Sequence, residues 1–224
     1  MDITIRHNPG FAVARCSLGG GEVVRAEAGA MMATSQGVEI SGKMDGGLMK
    51  GLKRSMLGGE SIFIANYTAP PQGGWVEVAA VLPGDMTVAP VDGELFIQRG
   101  SYIASEQGVE IDTMWGGFKN LFGGEGGFLV RAHGRGEVVL AAYGALDTYD
   151  LGEGQSLIVD TGHMVAYDPG VTVNMTRAGG NSGMVKSGEG FVFEFMGPGR
   201  VMTQTRNQNA LISWLTAALP FTRS

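Results

Sequence analysis

One cysteine, Cys16, stands alone in 224 residues, so an internal disulfide and Cys-rich zinc or redox motifs are excluded. Charge is also sparse. Asp, Glu, Lys and Arg make up 17% of the chain, and 22 acids against 16 bases leave a formal net charge of −6. Phosphate contact needs several cations on one surface, and only Lys50, Lys53 and Arg54 cluster, which argues against nucleic acid. No apolar run approaches the roughly 18 residues of a membrane span. The start, Met1-Asp2-Ile3-Thr4-Ile5-Arg6-His7, lacks the apolar segment of a signal peptide and the Arg/Ser-rich character of a transit peptide. The expected location is cytoplasmic. The three histidines, His7, His133 and His163, form no His-x-His or His-Glu-x-x-His signature, so no metal is expected. Gly-x-Ser-x-Gly is missing, and Leu52 follows Gly51 where a phosphate loop would need lysine. Neither catalytic residues nor a cofactor are expected, and Cys16 reads as an inert core thiol.

What is abundant is glycine, at 38 positions, more than double the usual share of roughly 7%. Much of it recurs in register. Gly21-Glu22-Val23-Val24-Arg25-Ala26-Glu27-Ala28-Gly29-Ala30-Met31-Met32-Ala33 leads to Gly37-Val38. Gly93-Glu94-Leu95-Phe96-Ile97-Gln98-Arg99-Gly100-Ser101-Tyr102-Ile103-Ala104 leads to Gly108-Val109. Gly154 to Ala166, ending His163-Met164-Val165-Ala166, leads to Gly170-Val171. Each stretch then reaches a Gly-Glu pair, at Gly59-Glu60, Gly124-Glu125 and Gly188-Glu189. Three carboxylates at matched positions could converge on an axis, but a turn-securing role explains their recurrence better, since every repeat would need the same bond.

Within each stretch the pattern is β. Phe11–Leu18, Trp75–Leu82 and Glu137–Tyr143 are rich in Val, Ala and aromatics, and turns such as Leu82-Pro83-Gly84-Asp85 separate such runs. The C-terminus departs from this. Leu211, Trp214, Leu215 and Ala218 fall at i, i+3, i+4 and i+7, which predicts a helix over about 208–219, capped by Asn207 or Asn209 and stopped by Pro220. Its apolar face calls for a sheet or a neighbouring subunit to dock on.

The stretch at 59–63, the run 100–109 and the ending Gly199-Arg200-Val201-Met202-Thr203-Gln204-Thr205-Arg206 resemble the family named for altered inheritance of mitochondria protein 24. The resemblance implies a β-sandwich like that of the tryptophan RNA-binding attenuation protein, triplicated in one chain around a pseudo-threefold axis. It also implies an association of the mitochondrial member with inner-membrane organisation, and it carries no catalytic or ligand residues. The expected fold is therefore all-β: one domain of three similar β-sandwich repeats (about 1–74, 75–135 and 136–206) with a short C-terminal helix.

The distinctive segments precede the Gly-Glu pairs. The first carries Leu48, Met49, Lys50, Leu52, Lys53, Arg54 and Met56; the second carries Trp115, Phe118, Lys119, Leu121 and Phe122. Large apolar side chains mixed with cations suit a subunit seam, a partner groove or an anionic membrane surface. The expectation is a non-enzymatic oligomeric scaffold or interaction protein with a peripheral membrane or membrane-protein contact. The alternative is an RNA- or small-ligand-binding module, by analogy of fold.

Overall fold

The computed structural model describes residues 1–42, 62–114, 129–177 and 191–219. Within them the chain is predominantly β. Alternation builds the strands: in β2 (Val13–Leu18), Ala14, Cys16 and Leu18 point into the core while their neighbours point out. Burial pushes the Cys16 thiol up to about 12, so it stays a neutral core group at physiological pH.

The first stretch also carries β1 (Asp2–Arg6), β3 (Val23–Glu27), β4 (Met31–Thr34), β5 (Glu39–Gly42), β6 (Ile64–Thr68) and β7 (Gly74–Ala79). Here β7 lies between β2 and β4, and β6 lies between β3 and β5. The second stretch has two long strands, β8 (Met86–Gln98) and β11 (Leu129–Ala141), with β9 (Tyr102–Glu106) and β10 (Val109–Met114). The far half of β11, Gly136–Ala141, lies between Met86–Val91 of β8 and β9; its near half, Leu129–Gly134, lies between Gly93–Gln98 and β10. The third stretch has β12 (Leu146–Leu151), β13 (Ser156–Asp160), β14 (Met164–Tyr167), β15 (Thr172–Arg177), β16 (Phe191–Met196) and β17 (Gly199–Gln204). There β17 lies between β12 and β14, and β16 between β13 and β15.

Two further pairings join the stretches. β9 adds to β3, with Ala26 opposite Ala104 and Arg25 opposite Ser105. β14 adds to β8, with Ile97 opposite Ala166 and Phe96 opposite Tyr167. They make one ten-stranded sheet, ordered β12-β17-β14-β8-β11-β9-β3-β6-β5 with β10 on β11. A parallel bridge between Gly84 and Gly144 ties the two inter-stretch turns, and Gly84 also accepts from the Ala12 amide at 2.9 Å. A Cβ on Gly84 would lie 1.8 Å from the Ala142 carbonyl oxygen, so that turn admits only glycine.

The boundaries read from sequence, at 74/75 and 135/136, fall at the first residue of β7 and inside β11. The runs read as Phe11–Leu18 and Trp75–Leu82 are strand only over Val13–Leu18 and Gly74–Ala79; Phe11 and Val81 are exposed. The helix α1 spans Gln208–Ala218, and the Asn207 side chain accepts from the Asn209 and Ala210 amides at 2.9 and 3.3 Å.

Candidate interaction surface

The contact residues read from sequence, Leu48 to Met56 and Trp115 to Phe122, and the pairs Gly59-Glu60, Gly124-Glu125 and Gly188-Glu189 all lie outside the described residues. What the described residues present instead is a set of polar anchors, several cavities and a group of exposed apolar side chains.

The anchors consume positive charge. Arg6 and Arg15 both reach the buried Glu77 carboxylate, the Arg15 contact measuring 3.3 Å, and Arg15 also lies over the Trp75 ring at 4.1 Å. Arg25 pairs with Glu110 at 2.9 Å, Arg131 with Asp112 at 2.8 Å and Glu94 at 3.2 Å, and Arg135 with Asp92 at 3.0 Å. Asp168 receives the backbone amide and two guanidinium nitrogens of Arg200, at 2.9, 2.9 and 3.0 Å. Burial pushes the Asp168 pKa up, but these bonds outweigh it and hold the carboxyl below the usual range. With their charges matched to carboxylates, these arginines form no stripe for a phosphate backbone.

The histidines sit apart. His133 Nε2 lies 3.1 Å from Asp112, His163 Nδ1 lies 2.7 Å from the Gln204 carbonyl, and His7 is exposed in a turn. Among the described residues no group of three or more His, Cys, Asp or Glu side chains is placed to hold a metal ion. Tyr102 and Ser105 share a buried hydroxyl hydrogen bond of 3.0 Å.

A cavity of about 250 Å³ is lined by Glu27, Val81, Gln98, Ile103, Tyr143 and Gln204, drawn from all three stretches. Gln204 locks its wall, accepting from the Tyr143 amide at 2.9 Å and donating to the Gly162 carbonyl at 3.0 Å. A second cavity of about 290 Å³ runs along β13, with Tyr149, Leu157, Ile158, Asp160, His163 and Thr203 on its walls. Beside it Asn207 Nδ2 donates to Asp160 at 3.3 Å, which fixes the root of α1. None of the helix residues is buried. Leu211 and Leu215 are half-covered, whereas Ile212, Trp214 and Leu219 are exposed, Trp214 by 65%. The sequence grouped Trp214 with Leu211 and Leu215; on the helix those two leucines are half-covered while the indole stands in solvent. No described helix is long and apolar enough to cross a membrane.

The family described as Mitochondrial biogenesis AIM24 matches residues 3–206. The chain belongs to that family. It is 25% identical over 229 residues to an uncharacterized protein of Streptococcus pyogenes serotype M6, covering 98% of this chain and 92% of the relative. The AIM24 fold is shared with a Streptococcus pyogenes protein of known crystal structure, at a TM-score of 0.80 and 24% identity over 97% of this chain and 99% of the other.

The sequence missed Met32 and Ile158, two apolar side chains on strand edges that stand 52% and 66% exposed. No sequence signal sets Met32 apart, because the repeat register puts it in one column with Ile103 and Val165, which are buried.

Proposed function

We propose that this AIM24-family chain is a non-enzymatic, oligomeric scaffold built from three similar β-sandwich units around a pseudo-threefold axis. The pairing supports the triplication. β2-β7-β4 and β12-β17-β14 have one order, as do β3-β6-β5 and β13-β16-β15, and the halves of β8 and β11 with β9 and β10 repeat both. An irregularity of register recurs at one point in each unit, between Met31 and Ala33, Tyr102 and Ala104, and Met164 and Ala166. A bulge kept in place is a designed feature of a strand. The cavity lined by Glu27, Gln98 and Gln204 supports the axis, because each unit contributes to its wall.

One observation carries the scaffold reading: α1 holds Ile212 and Trp214 in solvent with none of its residues buried, and Leu219 at its C-cap is exposed as well. Exposed apolar groups collected on one element mark contact surfaces. The segments containing Leu48–Met56 and Trp115–Phe122 add a second contact surface of the same chemistry, suited to a peripheral membrane or membrane-protein contact. Light scattering is expected to give a mass that is a multiple of 23.5 kDa. A monomer persisting at all concentrations tested would remove the scaffold reading.

A further inference from the structure

The cavity of about 250 Å³ draws its walls from all three stretches, each through a polar residue that ends a strand. Glu27 ends β3, Gln98 ends β8 and Gln204 ends β17. Their hydrogen-bonding capacity is spent differently. Gln204 is buried and fully engaged: its oxygen accepts from the Tyr143 amide at 2.9 Å, and its nitrogen donates to the Gly162 carbonyl at 3.0 Å. Gln98 accepts from the Ser101 hydroxyl at 3.3 Å. Glu27 stands apart. Its half-buried carboxylate has neither a hydrogen bond nor an ion pair among the described residues. The charge of Arg99 favours its ionised form, yet burial outweighs that charge and raises the carboxyl pKa.

We propose that this cavity binds a small organic cation, a primary ammonium on a short apolar body, with the Glu27 carboxylate as its counter-charge. A carboxylate drawn out of water is costly until a positive group or hydrogen-bond donors meet it. An ammonium supplies both. Its three N–H donors find acceptors in Glu27 and in the Gln98 and Gln208 side-chain oxygens on the same walls. An anion is the poorer match. Gln208 opens α1 at this cavity, but Asn207 already takes the Asn209 and Ala210 amides of that helix start.

The rest of the lining sets the body of the ligand. Ala80, Leu82, Ile103 and Ala141 are apolar and suit a short hydrocarbon. At about 30 Å³ per water the space equals roughly eight water molecules, enough for a few heavy atoms and too little for a nucleotide. A bare metal ion does not fit this wall. It would demand several converging oxygens, and among the described residues no group of three or more His, Cys, Asp or Glu is placed to hold one. The site adds a ligand to the scaffold and does not depend on how many copies assemble.

The test is titration calorimetry on the full chain at pH 7, with n-butylammonium as the probe and n-butanol and butyrate as matched neutral and anionic controls. Butylammonium should bind, and the two controls should not. Glu27→Gln keeps the size of the side chain and should weaken that binding by about tenfold or more. Glu39→Gln removes an exposed carboxylate from β5 and should change nothing, which separates the site from the general pull of a net charge of −6. Ala80→Phe, at a half-buried wall position, should fill the space and abolish binding while the protein still melts cooperatively. Should that variant fail to fold, the Glu27→Gln comparison decides alone. Four results would each overturn the proposal: no binding of butylammonium, equal binding by wild type and Glu27→Gln, equal binding of butanol or butyrate, or displacement by potassium at equal concentration. The scaffold reading survives all four, because scattering mass judges it separately.

Discussion

The first and third stretches pair their strands alike but fill the space between their sheets differently. In the first, most buried residues are small: Ala12, Ala14, Cys16, Val24, Ala26, Ala30, Val76 and Val78, with Leu18 and Tyr67 the larger ones. In the third, Phe193, Phe195, Tyr167 and Met164 do the filling, with Phe193 and Phe195 centroids 5.6 Å apart. Matched positions show the exchange directly. Ala26 pairs with Ala65 in the first, whereas Val159 pairs with Phe193 in the third. The lesson is that alternation and turn placement choose the pairing, and volume is then balanced locally. A core accepts large changes of residue if total volume and pattern are kept. The stretch with the small-residue core is also joined by the second stretch, through β9 on β3.

If the two cores are balanced by volume, truncation should hurt the aromatic one more. Phe195→Ala, at a fully buried position, is expected to cost about 3–5 kcal/mol, measured by urea unfolding. Val78→Ala in the first core removes two methyl-sized groups and should cost about 2 kcal/mol. Equal losses would break the comparison, by showing that the first core is as intolerant of a void as the third.

The polar anchors offer a second contrast. The Glu77 carboxylate gathers two arginines from β1 and β2 across the sheet, whereas the Asp168 carboxylate is held three times by Arg200. Asp168→Asn should cost about 1–3 kcal/mol at neutral pH, the range for bonds to a charged partner. The pH dependence has a definite sign. The folded-state pKa of Asp168 is depressed by Arg200 against the opposing effect of burial. Its stabilisation is therefore present above the unfolded carboxyl pKa, near 3.9, and is lost as pH falls through the folded value. The Asn variant should show a flatter acid limb in thermal melts from pH 7 downward. An acid limb unchanged by the substitution would mean that other carboxylates dominate acid unfolding.

Much of the plan was legible before any coordinates. The column of Met31-Met32-Ala33, Tyr102-Ile103-Ala104 and Met164-Val165-Ala166 was readable from glycine spacing, and each begins with a bulged strand. The 3.6-residue period and Asn207 located α1 within a residue. Three things were not legible. The extent of strands at turns was overdrawn, because Phe11 and Val81 have strand propensity but no partner strand. The Glu77 and Asp168 anchors join residues far apart in sequence, and no local pattern announces them. The exposure of Met32 was hidden, because the sequence places it in a column that is buried in both other members. Local pattern reports which residues a strand would bury; whether a partner strand arrives depends on distant geometry.

The smallest expected effect concerns Glu27, Gln98 and Asp160, one in each of the three stretches, just ahead of a short turn. Each solves the end of its strand differently. Asp160 accepts from the Gly162 amide at 2.9 Å, Gln98 accepts from the Ser101 hydroxyl at 3.3 Å, and Glu27 lines the cavity of about 250 Å³. Burial raises the Glu27 pKa, and the opposing charge of Arg99 does not cancel it. An acid with a raised folded pKa contributes most below its unfolded pKa, and the folded state loses ground as pH climbs through the folded value. Glu27→Gln keeps the size and removes the charge. It should therefore raise stability slightly at pH 7, by less than about 0.5 kcal/mol, and leave it unchanged near pH 4. Thermal melts at the two pH values read the difference. A variant less stable than wild type at pH 7 would show that the carboxylate serves its unit as Asp160 serves the third, by accepting a bond that glutamine cannot replace.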